Sequence, residues 1–263
     1  MDSGFPEHDG PAVVVQDVAQ RFGPTTIFRH VSFTVEAGEI FAVLGGSGSG
    51  KSTLMKQLIG LLPPTEGSIT VRGRTITGPG GAAGRGAVLR EIGVMFQSGA
   101  LFGSMTLLEN VMLPLEMFTG LPQPVREAVA RVKLGLVGLA TAAGLRPAEI
   151  SGGMAKRAAI ARAMALDSPL LFLDEPSAGL DPITSAGLDE LILELRRDLG
   201  ATFVVVTHEL ASILSIADRC IMLDRAAQGM IAEGDPKRLR AESTNPSVRA
   251  FFRREVLHAE TVP

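Results

Sequence analysis

The stretch GGSGSGKST, Gly45–Thr53, constrains this chain more than any other. Gly45, four residues, Gly50, Lys51 and Ser52 follow the spacing of a phosphate-binding loop; a strand-like run, IFAVLG, leads in and a helix-like run leads out. The loop works only in that setting, because its glycines let successive N–H groups converge on phosphate oxygens at the start of a helix. Gly45, Gly46, Ser47, Gly48, Ser49, Gly50, Lys51, Ser52 and Thr53 are therefore read as a nucleotide-binding run. In it Lys51 reaches the β- and γ-phosphates, and the Ser52 hydroxyl binds Mg²⁺.

The rest of the chain supplies the strands and helices that such a loop needs. AVVVQDVAQRF and IFRHVSFTVEAGEIFAVLGG alternate β-branched with polar residues and then merge into a buried strand. KSTLMKQLIGLLPP has helical spacing and is expected to run to the paired prolines; GSITVRG is a short strand, and TGPGGAAGRGA is expected to be a loop. IGVMFQ, LLFLDEP and TFVVVTH read as buried strands, ITSAGLDELILELRRDLG as an amphipathic helix, DRCIMLD and QGMIAEG as late strands, and NPSVRAFF as a terminal helix. Alternation of this kind predicts an α/β fold with a mostly parallel sheet and one compact core. A mainly helical stretch, about 98–166, forms a lobe on its side; its apolar run LFGSMTLLENVMLPLEMF either packs as core or shapes a groove for a partner helix.

Composition excludes several classes. Of 263 residues, 46% are apolar and 20% charged, so the chain can bury a core. A net charge of −3 argues against nucleic acid as a partner. Cys220, alone in an apolar strand, excludes a disulfide framework and is read as a buried, inert thiol. MDSGFPEHDGP is neither a signal nor a transit peptide, and no apolar run reaches the ~18 residues of a membrane span.

Carboxylates complete the nucleotide chemistry. LLFLDEP ends a strand in Asp174, at the sheet edge where α/β folds bind ligands; Asp174 would hold Mg²⁺ through water, and Glu175 would polarise the attacking water. His208, closing TFVVVTH at a similar edge, is read as a γ-phosphate contact; His8, His30 and His258 form no usable spacing. A second phosphate-suited stretch lies about a hundred residues beyond the first. In ISGGMAKRAAIARAMAL, Ser151 can cap a helix while Gly152 and Gly153 bare its first N–H groups, and Met154 follows where a polar residue would suit phosphate better.

Taken in order, Gly45–Thr53, Gln97 after a strand, ISGGM, LLFLDEP, SAGLD and TH resemble the ATPase subunits of ABC transporters, from about Val13 to Asp235. The resemblance implies a P-loop NTPase core with a mostly parallel sheet, an N-terminal antiparallel β subdomain and a helical lobe carrying the SGG motif. The ATPase domain would span 13–240, with 241–263 as a C-terminal extension. It also implies a head-to-tail dimer, in which Ser151, Gly152, Gly153 and Met154 of one chain cap ATP held by the other's loop. Ser177, Ala178, Gly179, Leu180 and Asp181 would run along that interface. Gln97 would sense Mg²⁺ or the lytic water beside the surface that receives membrane subunits. The chain departs from the family in having no tyrosine or tryptophan: Phe22 would stack on adenine in tyrosine's place. It departs again at Met154, where the family usually has glutamine.

FQSGALF, SGGMAKRAAIARA and GLDPITS together resemble the ATPases of Mce-associated, Mla-type lipid transporters, which carry methionine after the glycines. That resemblance implies ATP and Mg²⁺ as cofactors and an integral-membrane permease dimer as partner. It further implies an Mce-domain substrate-binding protein, a small accessory protein, and a peripheral place on the cytoplasmic face of the inner membrane. The alternatives are the ATPase of another solute importer, or a soluble ABC ATPase such as an iron–sulfur scaffold assembly factor. The tail STNPSVRAFFRREVLHAETVP either docks on a partner or packs as a terminal helix with a frayed end.

Overall fold

The computed structural model describes residues 10–77 and 81–255; the readings made of residues 1–9, of His258 and of residues 256–263 fall outside them. In chain order the first elements are β1 (Val13–Phe22), β2 (Thr25–Val35), β3 (Ile40–Gly45), α1 (Lys51–Leu58), β4 (Glu66–Val71), β5 (Arg74–Thr75), α2 (Gly81–Glu91) and β6 (Ile92–Met95). The helical lobe follows: α3 (Leu107–Phe118), α4 (Gln123–Leu136), two short 3-10 turns, and α5 (Gly152–Ala163). The chain closes with β7 (Leu170–Asp174), α6 (Pro182–Leu199), β8 (Thr202–Val206), α7 (Leu210–Ile216), β9 (Arg219–Asp224), β10 (Gly229–Gly234), α8 (Pro236–Glu242) and α9 (Pro246–Arg253).

Among the described residues, β2-β1-β4-β5 make an antiparallel sheet, and β10-β9-β3-β8-β7-β6 a second sheet in which every neighbouring pair is parallel except β10 with β9. β3 and β8 are buried throughout, as continuous apolar runs require when helices or a second sheet cover both faces. One apolar cluster fills the space between the sheets, with Phe28, Phe41, Leu54 and Phe172 at its centre. Another joins the opposite face of the large sheet to the helical lobe through Leu107, Val111, Ile160 and Leu188. The C-terminal ends of the parallel strands are left free between these layers, and the site lies there.

Two expectations change. TGPGGAAGRGA is not all loop: a helix begins at Gly81. Glycine-rich sequence disfavours a helix by itself, but here the glycines let it approach another backbone. A Cβ on Gly81 would lie 2.8 Å from the carbonyl carbon of Ile76, and one on Gly84 2.4 Å from the Thr75 carbonyl oxygen. Val88, fully buried, anchors the same helix in the core. α1 ends at Leu58, short of the prolines, where Gly60 takes φ 74 and the Leu61 and Leu62 N–H groups turn back onto the Lys56 carbonyl. Beyond β10, residue 240 lies within α8, and α9 packs Val248 and Phe252 with Leu44 and Ile213.

The lobe's apolar run is partly core and partly surface. Leu107, Val111 and Leu115 of α3 are buried, whereas Met117 is 66% exposed and Phe102 51% exposed. Cys220 is fully buried and burial pushes its thiol up to about 12, so it is an inert core residue. No helix of the described residues is long and apolar enough to cross a membrane.

Candidate active site

β3 delivers its last residue, Gly45, to the open edge of the sheet, and three glycines of the following loop take left-handed backbone angles: Gly45 φ 147, Gly48 φ 75 and Gly50 φ 100. Side chains would not fit at two of them. A Cβ on Gly45 would sit 2.3 Å from the Leu223 carbonyl oxygen, and one on Gly50 2.7 Å from the Phe28 ring. Gly50 also occupies the N-cap of α1 and brings no side-chain acceptor, so the helix's first N–H groups stay open to an anion. Lys51 Nζ donates to the Gly45 carbonyl at 2.7 Å and the Gly46 carbonyl at 3.0 Å. Burial pulls its pKa down, against the opposing pull of the Glu175 and Asp174 carboxylates.

Asp174 ends β7 and its carboxyl is pushed above the usual range, first by burial and then by Glu175, with Lys51, Lys56 and Lys156 opposing. Its buried Oδ1 has no protein partner. Glu175 stands in a left-handed conformation, φ 47, costly for a residue with a Cβ. Its surroundings hold it there. Its N–H donates to the Val206 carbonyl at 2.7 Å; one carboxylate oxygen accepts from Thr207 Oγ1 at 3.2 Å, and the other meets His208 Nδ1 at 2.7 Å. A cleft of about 920 Å³ gathers Gly45, Gly46, Ser47, Gly48, Lys51, Ser52, Gln97, Glu175 and His208. Asp174 lies one residue behind that lining. Gly50 and Thr53 line an adjoining recess of about 230 Å³ with Ile27, Gly48, Lys51 and Ser52. Phe22 lines neither and stands half-exposed at the β1–β2 hairpin.

Ser151, Gly152, Gly153 and Met154 line neither cavity of their own chain. Ser151 caps α5, its hydroxyl accepting from the Met154 N–H at 3.3 Å, and Ser151 and Gly152 are exposed. Met154 is half-buried against the apolar core of the lobe, which supplies a packing reason for an apolar residue there. Past Glu175, Ser177 is buried, Gly179 turns at φ 80, and Asp181 caps α6 by accepting from the Ile183 and Thr184 N–H groups at 3.0 Å. The Thr184 bonds hold the Asp181 carboxyl below the usual range.

Several residues at the site carry no motif of their own. Thr207 precedes His208 and orients Glu175. Lys156, nearly buried, donates from α5 to the Gln97 and Glu175 carbonyls. Its signal was a lysine sharing a helix face with buried Ala159, Ile160 and Ala163. Ala250, Phe251, Arg254 and Glu255 close one end of the cleft, a place only the packing of α9 reveals.

The family model described as ABC transporter matches residues 28–178. The intermembrane phospholipid transport system ATP-binding protein MlaF of Escherichia coli is 43% identical over 241 residues, 91% of this chain and 88% of that protein. The probable ribonucleotide transport ATP-binding protein mkl of Mycobacterium tuberculosis is 39% identical over 249 residues, 95% of this chain and 68% of that protein. A dimeric post-hydrolysis structure of the ATP-binding cassette MJ0796, bound to ADP and Pi, superposes with a TM-score of 0.75 at 29% identity, covering 85% of this chain and 98% of that one.

Proposed function

Since the chain belongs to the ABC transporter ATPase family, we propose that it is the ATP-hydrolysing subunit of a phospholipid transporter, acting as a head-to-tail dimer beneath a membrane permease. One observation carries the dimer: the cleft that gathers the phosphate loop, Gln97, Glu175 and His208 leaves out the capped glycines of α5, so a single chain presents two halves of different sites. In the dimer, Ser151–Met154 of one chain face the γ-phosphate held by the other, and Ser177–Asp181 run along the seam. Residues 13–240 form the cassette and 241–263 its extension.

In this reading Gly45–Thr53 bind the ATP phosphates, with Lys51 exchanging its two carbonyl partners for phosphate oxygens. Phe22 stacks on adenine. Glu175 takes a proton from the attacking water as ADP and phosphate form. An ionised Glu175 only accepts, so His208 Nδ1 carries the proton in their contact, and a donor bond from Nε2 to the γ-phosphate requires the imidazolium form. Ser52, Gln97 and Asp174 offer oxygen donors of the kind a hard cation takes, and the unpartnered Asp174 Oδ1 fits such a role; these residues would hold Mg²⁺, which neutralises phosphate charge. The exposed Phe102, Met117 and Phe118 of the lobe suit a permease helix. The chain then sits peripherally on the cytoplasmic face of the inner membrane, with an Mce-domain protein and a small accessory protein completing the complex.

Phospholipid is favoured over ribonucleotide because the MlaF relative is matched over more of its own length and at higher identity. The test is a mild-detergent pull-down of tagged Glu175→Gln protein from native membranes, with mass spectrometry of proteins and bound small molecules. Recovery of a permease, an Mce-domain protein and phospholipid is the expected result. Co-purifying ribonucleotides other than ATP and ADP would move the substrate to the mkl reading, and recovery only with soluble partners would sink the transporter. Purified Glu175→Gln should hydrolyse ATP about 10²–10⁴-fold more slowly; an unchanged rate would remove Glu175 as the base.

A further inference from the structure

β6 and β7 pair in parallel as far as Met95 with Leu173, and there the ladder stops. The next residues of the two strands' ends include Gln97 and Glu175, both assigned above to the reaction. Their carbonyls both accept from one buried ammonium: Lys156 Nζ donates to the Gln97 carbonyl and, at 3.3 Å, to the Glu175 carbonyl. Every polar atom of Glu175 is tied, its N–H to Val206, its carbonyl to the Ala178 N–H at 3.2 Å and to Lys156, and its carboxylate to Thr207 and His208. The same helix pins the far end of the Gln97 segment. Arg162 donates to the Gly99 carbonyl at 2.8 Å and the Ala100 carbonyl at 2.7 Å, where the backbone turns through φ 72 and φ 48.

We infer that Lys156 is a positioning residue for hydrolysis, joining the helix that caps one nucleotide to the Gln97 and Glu175 backbones that act on another. The inference rests on the proposed dimer for its direction, but its contacts lie within one chain. A movement of α5 on meeting a partner's phosphate is transmitted to both carbonyls at once, because a single amine holds them. The ammonium also lies close enough to Asp174 and Glu175 to feel both carboxylates, which oppose the fall that burial imposes on its pKa. Loss of Lys156 takes from the Gln97 carbonyl its donor, leaves the Glu175 carbonyl with the Ala178 N–H alone, and frees Glu175 from one of the bonds that keep it at φ 47.

Steady-state ATPase assays of the full chain test this with Lys156→Met, Lys156→Gln and Lys156→Arg. Lys156→Met is expected to lower kcat at least tenfold with KM for ATP within threefold of wild type. The same loss is expected of Lys156→Gln, so the test survives if methionine prevents folding. Lys156→Arg, which keeps a cation with N–H donors, is expected to retain at least a third of kcat. Gln97→Ala keeps the backbone acceptor but removes the positioned side chain, so Lys156→Met on that background should cost much less than it does alone. The inference is overturned if the neutral variants keep kcat within twofold, if the loss lies in KM, if arginine is as inactive as methionine, or if the Gln97 and Lys156 losses simply multiply. Glu175→Gln runs alongside: full turnover there overturns the reading of the site itself and not the role of Lys156.

Discussion

Gly152 and Gly153 are adjacent in the first turn of α5, yet alanine should act oppositely at the two. A Cβ on Gly152 meets only Leu180 Cδ2 at 3.7 Å, an ordinary contact, whereas one on Gly153 would lie 2.5 Å from Thr184 Cγ2. Thr184 cannot swing aside freely, because its hydroxyl and its N–H are both bonded to Asp181. Alanine gains about 0.5–1 kcal/mol over glycine in a helix, and this gain is common to the two variants. Their difference therefore isolates the clash, about 1–3 kcal/mol for overpacking of this kind. At this chain size each kcal/mol moves the melting temperature by about 2–4 °C. Thermal melts without nucleotide should thus place Gly153→Ala several degrees below Gly152→Ala. Adding Thr184→Ser, which deletes the offending methyl and keeps the hydroxyl, should close most of that gap relative to Thr184→Ser alone. The reasoning is refuted if Gly153→Ala melts at or above Gly152→Ala, or if the serine leaves the gap unchanged. On the Glu175→Gln background, Gly152→Ala should remain stable yet lose ATP-dependent dimerisation in gel filtration.

Lys51→Met should raise the ATP dissociation constant at least tenfold while leaving the nucleotide-free melting temperature within a few degrees, since its two carbonyl partners are solvent-adjacent; isothermal titration and melts separate these effects. Asp174→Asn should abolish hydrolysis yet raise the melting temperature at pH 8. Burial lifts the Asp174 pKa, so its ionisation opposes folding; the advantage of asparagine should shrink as pH falls through the raised pKa and the wild-type carboxyl is protonated. Cys220, with its thiol near 12, should resist a maleimide or disulfide reagent at pH 8 until the protein is unfolded in denaturant.

The phosphate loop, Asp174–Glu175 and the capped glycines of α5 were legible because each needs consecutive residues whose chemistry is local. The large sheet was legible for a similar reason, as buried strands such as Thr202–Val206 are continuous apolar runs. α2 was not. Gly81 and Gly84 lower helix propensity in any window, and what overrides it is close approach to Ile76 and Thr75, a tertiary fact. Lys156 and Arg162 were missed as functional groups because their acceptors are backbone carbonyls 19 to 63 residues away, which leave no mark in side-chain identity. Met154 had no explanation in sequence; its packing on the apolar core of the lobe supplies one.

Where the fold is unsatisfied says as much as where it is well packed. Among the described residues, Ser49 Oγ, Asp174 Oδ1 and Ser177 Oγ are three of eight buried side-chain atoms without partners, and each such group costs about 1–3 kcal/mol. All three belong to segments at the ligand edge: the phosphate loop, the end of β7 and the start of the proposed seam. Glu175 and Ala100 add backbone strain at the same edge, with φ 47 and 48. The strands behind them, β3, β7 and β8, carry complete ladders. Part of the fold's cost thus falls where a ligand or a second chain arrives, and a core this well paired can carry it. Lys51 fits the same economy of contacts, since its ammonium rests on the Gly45 and Gly46 carbonyls and gives up only those bonds when phosphate enters. Nucleotide can relieve the cleft, whereas Ser177 lies on the segment that runs along the seam in the proposed dimer. Full relief then requires ATP and a partner together, which is the coupling a dimeric ATPase needs if binding is to drive closure.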